Sequence, residues 1–198
     1  MKVVIVGGSG KIGSAVVAEL KPRHEVVVLG RKTTPAIDIT NPASIGAAFA
    51  KLGRFDALVS ATGGVKFAPF EQMTSADYEF GLKDKLMGQV NLVLVGREFV
   101  NDGGSFTLTS GILAHDPIRA GSSASMTNGA LDSFVSAAAI ELARGVRINV
   151  VSPTVITESM ADYGPFFRGF EAVPASRVAL AYAKSVEGAQ TGQVYRVV

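Results

Sequence analysis

The chain has no cysteine, no tryptophan and only two histidines among its 198 residues, and these absences exclude several kinds of site. Without cysteine there can be no disulfide framework, zinc–thiolate site or thiol nucleophile. His24 and His115 alone do not make a metal site, so we expect no bound metal. The formal net charge of +2 is too small to indicate nucleic acid or a membrane surface as a partner.

Long hydrophobic runs are also lacking. No apolar run approaches the roughly 20 residues that cross a bilayer. The apolar run near the start is short and ends in glycine without a cleavage pattern, so we expect a cytoplasmic protein. The composition, 47% hydrophobic and 18% charged, is typical of a globular chain. The length predicts a single domain over residues 1–198.

The most informative feature present is a glycine-rich segment, residues 7–13, directly after the β-branched run 2–6. A buried strand, a glycine turn and a helix start form a site for a pyrophosphate, which binds at the positive end of the helix dipole. A plain strand–helix turn is the alternative. The residues of this loop that we expect to contact a dinucleotide are Gly7, Ser9, Gly10, Lys11, Ile12 and Gly13.

Apolar runs and helical patterns alternate along the rest of the chain. Strands are predicted at 26–29, 57–59, 105–109, 146–151 and 193–198, and helices at 42–52, 74–100, 122–144 and 175–185. The strands are continuous rather than alternating apolar runs, which is typical of a parallel sheet covered on both faces. The fold class is therefore α/β: a doubly wound parallel sheet with helices on both faces, the Rossmann fold.

Ligands of such sheets bind at the carboxyl ends of the strands, so the loops after the strands carry the cofactor predictions. An NAD site usually has an acidic residue after the second strand, but here Arg31 and Lys32 occupy that loop. A guanidinium binds a 2′-phosphate, which favours NADP over NAD. Asp38 is expected to accept a hydrogen bond from adenine and Ile39 to pack on its ring, unless Asp38 instead caps the following helix. After the third strand, the expected cofactor contacts are Ala61, Thr62 and Gly63.

Several segments are similar to those of the short-chain dehydrogenase/reductase family, and the resemblance spans nearly the whole chain. They are the glycine loop, Ser60–Gly63, Gly104–Gly111 and, most specifically, Arg147–Pro153. Lys11 and Thr154 stand where the family usually has glycine. The resemblance implies that the segment from Pro153 to Thr157 borders the nicotinamide, with Pro153, Val155 and Thr157 in contact with the cofactor.

The resemblance also implies a catalytic Ser, a Tyr that moves the proton, a Lys four residues after it and an Asn in the long middle helix. Ser110 falls at the Ser position, but Ala124 stands at the Tyr position, Asn128 at the Lys position and Lys85 at the Asn position. The usual proton path is therefore absent. General acid–base help is worth about 100- to 10,000-fold in rate.

Two functional hypotheses remain open. One is an NADP-dependent oxidoreductase of a small carbonyl or alcohol substrate, in which Ser110 polarises the carbonyl and Lys85 or a bound water supplies the proton. The other is an NADP(H)-binding sensor or catalytically silent relative, in which Lys85 is a structural or ribose-binding amine. Residues 154–171 are predicted to form a substrate lid. Tyr163 in this lid and His115 after Ser110 are further candidates to reach the pocket. Alternatively, Tyr163 belongs to a hydrophobic lid or dimer contact, and His115 is a surface residue of a loop.

The same resemblance implies a homodimer or homotetramer assembled through the helices predicted at 74–100 and 122–144. Small residues in the second of these helices, Ala137, Ala138 and Ala139, would permit close packing.

Overall fold

A computed structural model describes all 198 residues and contains one six-stranded, entirely parallel sheet with the strand order β2-β1-β3-β4-β5-β6. The order reverses between β1 and β3, as in a doubly wound fold, so the predicted fold class is confirmed. The strands are β1 (Lys2–Val6), β2 (Glu25–Leu29), β3 (Phe55–Ser60), β4 (Val100–Thr109), β5 (Arg147–Pro153) and β6 (Val194–Val197).

Helices cover both faces of the sheet. They are α1 (Lys11–Leu20), α2 (Pro42–Leu52), α3 (Ser75–Gly81), α4 (Gly88–Gly96), α5 (Ser122–Glu141), α6 (Met160–Tyr163) and α7 (Ala175–Glu187). Successive residues of a strand point to opposite faces. Accordingly, Val4 and Val6 belong to a core with α2, α4 and α5, whereas Val3 and Ile5 belong to a second core with α1 and α7. This burial on both faces explains the continuous apolar runs in the sequence.

Local signals in the sequence account for the bounds of several helices. Helix α2 begins after Asn41, whose side chain accepts hydrogen bonds from the N–H groups of Ala43 and Ser44, with Pro42 at the first helical position. Thr74 and Asp77 form a capping box that begins α3. Helix α2 thus begins where the sequence predicts it, and α3 begins one residue after the predicted start.

The helix predicted over residues 74–100 differs from the structure in two respects. Helical conformation runs from Ser75 to Gly96, but a π-helical turn, Leu82–Met87, separates α3 from α4. The chain then turns, and Val100 already belongs to β4, where it is fully buried. Apolar spacing could not reveal this end, because a buried strand and a buried helix end both present apolar residues.

The helix predicted over residues 122–144 ends earlier, at Glu141. Arg144 and Gly145 both have positive φ angles, 59° and 68°, which turn the chain into β5. The segment 154–171 includes the short helix α6 and a one-turn 3-10 helix at Thr157–Ser159. No helix is both long and apolar enough to cross a membrane, and no group of three or more His, Asp or Glu side chains is arranged to hold a metal ion.

Candidate functional site

The carboxyl ends of the strands open onto a groove made of two adjoining cavities. The larger, about 860 Å³, extends over β1 and β2, and the smaller, about 410 Å³, extends over β4 and β5. The residues that line both are Gly10, Ala61, Thr62, Gly63 and Gly64. The glycine loop and the end of β3 therefore form the boundary between the two cavities.

The glycines of the loop have distinct roles. Gly7 has a φ of +85°, and a Cβ there would lie 2.5 Å from the carbonyl oxygen of Ala61. A Cβ on Gly13 would overlap the carbonyl oxygen of Gly7, so only glycine lets α1 pack this close to β1. Gly10, the N-cap of α1, has no side-chain cap, and a Cβ there would come no nearer than 3.4 Å to other protein atoms. Its lack of a side chain is thus not needed for internal packing and keeps the groove open.

The larger cavity contains the residues predicted to bind the adenosine half of a cofactor. Arg31, Asp38 and Ile39 all line it. Asp38 does not cap α2; its Oδ1 accepts hydrogen bonds from the hydroxyl and N–H of Thr40, at 2.8 and 2.9 Å. These bonds, followed by the charge of Arg31, lower the pKa of Asp38. The loop is thus locally ordered and presents both a guanidinium and a carboxylate to the cavity.

The smaller cavity brings together Lys85, Ser110, Ala124 and Asn128, which the sequence places far apart. Lys85 lies in the π-helical turn, and its ammonium donates to the Asn128 Oδ1 at 2.7 Å and to the Ser110 carbonyl oxygen at 3.1 Å. Removal from water lowers the pKa of Lys85 to about 8, while the charge of Asp132 opposes this fall. π-Helical turns occur frequently at functional sites, where they re-aim a side chain.

The end of β4 is fixed in place just before Ser110. The Gln89 side chain of α4 exchanges two hydrogen bonds with the backbone of Thr109, at 2.8 and 2.9 Å. The hydroxyl of Thr109 also contacts the hydroxyl of buried Tyr182, at 2.6 Å. Ser110 itself is 4% exposed, and its hydroxyl has no hydrogen-bonding partner in the protein. A buried unpaired hydroxyl is costly unless a ligand pairs with it.

Ala124 packs in an apolar cluster with Ile112, Leu113, Val155 and Phe167. It is 2% exposed and supplies no ionisable group. A proton for chemistry in this cavity must therefore come from another side chain or from water.

A second polar group lies behind Ser110. Asp132, one turn after Asn128 on α5, is 7% exposed, and its Oδ2 lies 3.0 Å from the Nε2 of His115. His115 in turn contacts Arg196 of β6, with 3.3 Å between Nδ1 and the guanidinium. Burial raises the pKa of Asp132, while Ser110, His115 and Arg196 each lower it. His115 thus does not line the cavity but contacts a residue behind it.

The segment 154–171 covers the smaller cavity. Its side chains that line the cavity are Thr154, Val155, Ile156, Ser159, Tyr163 and Phe167. Tyr163 packs edge-on against Phe67, with 5.4 Å between ring centroids. Lys11 of the glycine loop forms a 2.8 Å ion pair with Asp162, so this segment also contacts the start of α1.

Three residues expected at the cofactor do not line either cavity. Gly13 acts through packing beneath the loop, Lys32 is exposed outside the groove, and the N–H of Thr157 donates to the Val173 carbonyl oxygen at 2.9 Å. Conversely, the sequence did not identify Phe67, Asp84 or Asp132. Asp84 accepts a 2.6 Å hydrogen bond from the N–H of Gly64 and so fixes the end of the β3 loop. The only available signal for Asp132 was its position four residues after Asn128.

Known proteins are similar to this chain over the same strands and helices that form the groove. A family model described as enoyl-(acyl carrier protein) reductase matches residues 3–195. A tropinone reductase homolog from Arabidopsis thaliana is 30% identical over 119 residues, which is 59% of this chain and 45% of that protein. The aligned region thus spans about half the length of this curated relative.

Solved structures are also similar over the whole chain. The protein lin1944 from Listeria innocua is 49% identical with a TM-score of 0.98, and the match covers 100% of both chains. A small-chain dehydrogenase solved in complex with NADPH is 24% identical with a TM-score of 0.88, covering 100% of this chain and 96% of that one.

Proposed function

The chain belongs to the short-chain dehydrogenase/reductase family of oxidoreductases, and from this premise we propose that it acts with NADP on a small carbonyl or alcohol substrate. The observation that carries the proposal is the ammonium of Lys85 beside Ser110 in the smaller cavity. It supplies a proton donor where Ala124 cannot.

The groove fits a dinucleotide. The uncapped start of α1 at Gly10 leaves helix N–H groups for a pyrophosphate, and the larger cavity has room for an adenosine. Arg31 would bind a 2′-phosphate and Ile39 would pack against the adenine, as expected from the sequence. The small-chain dehydrogenase of similar fold was solved with NADPH, which agrees with this choice of cofactor. Bound NADPH would supply a hydride to the substrate.

The protein's own residues would act on the substrate oxygen. The unpaired hydroxyl of Ser110 is available to donate a hydrogen bond to a carbonyl oxygen. Lys85, with its pKa lowered to about 8, is mostly protonated at neutral pH and releases its proton more readily than an exposed lysine. In reduction it would supply the proton to the substrate oxygen, directly or through a water. In alcohol oxidation the neutral amine would accept that proton.

The positions of Lys85 and Asn128 support this assignment. The family has an Asn on the middle helix and a Lys on the next helix, whereas this chain has the two residue types exchanged. Because Lys85 and Asn128 are hydrogen-bonded at 2.7 Å, the exchange keeps an amine and an amide in contact within the site. A chain that had merely lost its catalytic groups would not need to preserve this pair.

The surroundings of the pair indicate an apolar substrate. Phe67, Leu113, Val155 and Phe167 line the smaller cavity, and residues 154–171 form its lid. At about 410 Å³ the cavity suits a small molecule next to a nicotinamide rather than an acyl chain attached to a carrier protein.

The test is single-turnover loss of NADPH absorbance with a panel of small aldehydes and ketones. Lys85→Met should slow the reaction about 100-fold while leaving NADPH affinity unchanged. Lys83→Met, an exposed lysine in the same π-helical turn, is the matched control. Equal rates for Lys85→Met and the control would remove Lys85 from the mechanism.

A second candidate function is an NADP(H)-responsive sensor or catalytically silent relative. The burial of Ala124 among apolar side chains favours it, because no group there can take the usual part of the Tyr. Micromolar NADPH binding without turnover of any panel member would support this alternative against the enzyme.

We also propose that the protein is a homodimer or homotetramer through α4 and α5. Ala138 and Ala139 pack against the chain's own core, but Ala137 is exposed, and Leu94 and Ile140 are 46% and 87% exposed. Ile140→Glu should shift the protein to a smaller species in sedimentation. An unchanged sedimentation coefficient would exclude this face.

A further inference from the structure

The group formed by Asp132, His115 and Arg196 is not used in the proposed reaction. Asp132 is nearly inaccessible, although its helix is otherwise rich in Ala and Ser. Unpaired charges are rarely buried, because the loss of hydration is expensive. A carboxylate at this place therefore needs a partner, and His115 provides one on the outer side.

On the outer side, His115 contacts Asp132 at 3.0 Å and Arg196 contacts His115 at 3.3 Å. The three residues come from the loop after β4, from α5 and from β6. On the inner side, Asp132 lies one helical turn from Asn128, which accepts a hydrogen bond from the Lys85 ammonium. The carboxyl is therefore situated between the protein surface and the proposed proton donor.

We propose that Asp132 is a positioning residue for this site. Its buried carboxylate, which contacts His115, stabilises the proton on Lys85 and polarises the Ser110 hydroxyl by its charge. This inference rests on the proposed function only for its consequence on turnover. The link between Asp132 and Lys85 rests on the helical spacing of Asn128 and Asp132, on the hydrogen bond from Lys85 to Asn128 and on the charge of Asp132, and it holds whether or not a carbonyl is reduced.

Few charged side chains act on Lys85 or on Asp132. Asp132 is the charged side chain whose field acts on Lys85, and it opposes the effect of burial. The other groups in contact with the ammonium, the Asn128 amide and the Ser110 carbonyl, carry no net charge. Asp84, adjacent in sequence to Lys85, is instead bonded to the Gly64 N–H. Around Asp132 the groups are His115, Arg196 and the Ser110 hydroxyl.

Ser110 completes the arrangement. Its hydroxyl interacts with Asp132 closely enough to lower the pKa of that carboxyl, although the two form no well-shaped hydrogen bond. The hydroxyl has a single hydrogen and makes no hydrogen bond within the protein, so that hydrogen is available to a substrate oxygen while the charge of the carboxylate polarises the O–H group. Asp132 thus acts on both residues assigned to the substrate oxygen without touching the substrate.

The test measures the protonation of Lys85 directly. In protein labelled with ¹³C-lysine, the signal absent from Lys85→Met identifies Lys85, and its titration midpoint should lie near 8 in the unaltered protein. Asp132→Asn should lower this midpoint by about one pH unit, because an opposite charge is lost. Asp132→Glu should largely restore it. His24→Gln, which alters the other histidine of the chain, should leave it unchanged.

A second arm remains informative should Asp132→Asn fail to fold. His115→Leu changes a side chain at the surface, and it should raise the pKa of Asp132 in a ¹³C-aspartate titration, because His115 lowers that pKa. An unchanged Lys85 midpoint in folded Asp132→Asn, or an unchanged Asp132 pKa in His115→Leu, would overturn the proposal. A purely structural role would change stability but neither titration.

Turnover separates this proposal from the proposed function. If a panel carbonyl is reduced, Asp132→Asn should move the alkaline limb of the rate to lower pH by the same amount as the Lys85 midpoint. If no carbonyl is reduced, the proposed function fails, while a lowered Lys85 midpoint still supports the coupling of Asp132 to Lys85.

Discussion

The two halves of the groove are built from different parts of the chain. The nucleotide half consists mostly of backbone: glycines at the end of β1, the start of α1 and the end of β3. The reaction half consists of side chains contributed by a π-helical turn, the end of β4 and α5. A site formed by backbone tolerates almost no replacement of its glycines. A charged side chain can instead come from another helix, provided that its charged group reaches the same position. This difference explains how the glycine motif persists while the Tyr and Lys positions hold Ala124 and Asn128.

The largest effect should come from the nucleotide half. Gly13→Ala would place a Cβ on the Gly7 carbonyl oxygen, which is backbone and cannot move aside cheaply. Overpacking of this kind costs about 1–3 kcal/mol. A distortion of about 3 kcal/mol corresponds to a loss of about 100-fold in affinity. NADPH titration by fluorescence, with thermal unfolding of the same samples, measures both effects.

Gly10→Ala is the companion variant, because its Cβ would come no nearer than 3.4 Å to other protein atoms. It should unfold like the unaltered chain and yet bind NADPH more weakly, as the methyl group enters the groove. Gly129→Ala, where nothing lies within 4 Å, controls for the substitution itself. Unchanged affinity in Gly13→Ala would mean that the loop is not the pyrophosphate site.

The reaction half should respond through pH. Since the pKa of Lys85 is lowered to about 8, carbonyl reduction should be constant below pH 8 and fall tenfold per pH unit above it. The rate of alcohol oxidation should instead rise with pH and become constant above pH 8. Single-turnover rates between pH 6 and 10 measure this, with Lys85→Met expected to be slow at every pH. An inflection near 8 that persists in Lys85→Met would assign it to another group.

A smaller effect should distinguish the two dinucleotides. Arg31→Asp removes a guanidinium that lines the larger cavity and adds the acidic residue typical of NAD sites. Hydrogen bonds to charged groups are worth about 1.5–3 kcal/mol, so NADP affinity should fall about 10- to 100-fold relative to NAD. Lys32→Asp, outside the groove, is the matched control and should change this ratio much less. Equal ratios in the two variants would contradict the role of Arg31.

The sequence predicted most of the fold because each element carried its own local signal. Asn41 and Pro42 began α2 at the right residue, and the continuous apolar runs identified a parallel sheet covered on both faces. The glycine loop was likewise local, since seven adjacent residues contain the whole motif. The alignment with the family also placed Lys85, Ser110, Ala124 and Asn128 in one pocket, where the structure has them.

The rest depended on contacts between distant segments. Nothing in Leu82–Met87 distinguishes a π-helical turn from an α-helix, because the apolar spacing fits both. Asp132 is a single acidic residue in a helix, and its partners His115 and Arg196 lie on other elements. Phe67 belongs to a loop without periodicity and lines the cavity beside Tyr163 of the segment 154–171.

The smallest expected effect concerns stability and its dependence on pH. Below pH 8 the folded chain holds an ammonium at Lys85 whose pKa has fallen from 10.5 to about 8. At about 1.4 kcal/mol per pKa unit, this destabilises the fold by up to about 3 kcal/mol. Lys85→Met removes that penalty but also loses two hydrogen bonds donated by a charged group, each worth about 1.5–3 kcal/mol. The two contributions largely offset each other at pH 7, so the free energy of unfolding in urea should not increase there, and its dependence on pH is the informative quantity.

The pH dependence follows from the direction of the change in pKa. Between pH 8 and 10.5 the unfolded chain binds a proton that the folded chain has released, so the stability of the unaltered protein gains from this group as pH rises. Relative to the unaltered protein, Lys85→Met should therefore lose stability over that window, whereas exposed Lys83→Met should show no such trend. A difference in stability between Lys85→Met and the unaltered protein that stays constant from pH 7 to pH 10 would mean that the Lys85 ammonium is not strained by burial. A buried ammonium that destabilises the fold is expected of an amine retained for chemistry rather than for structure.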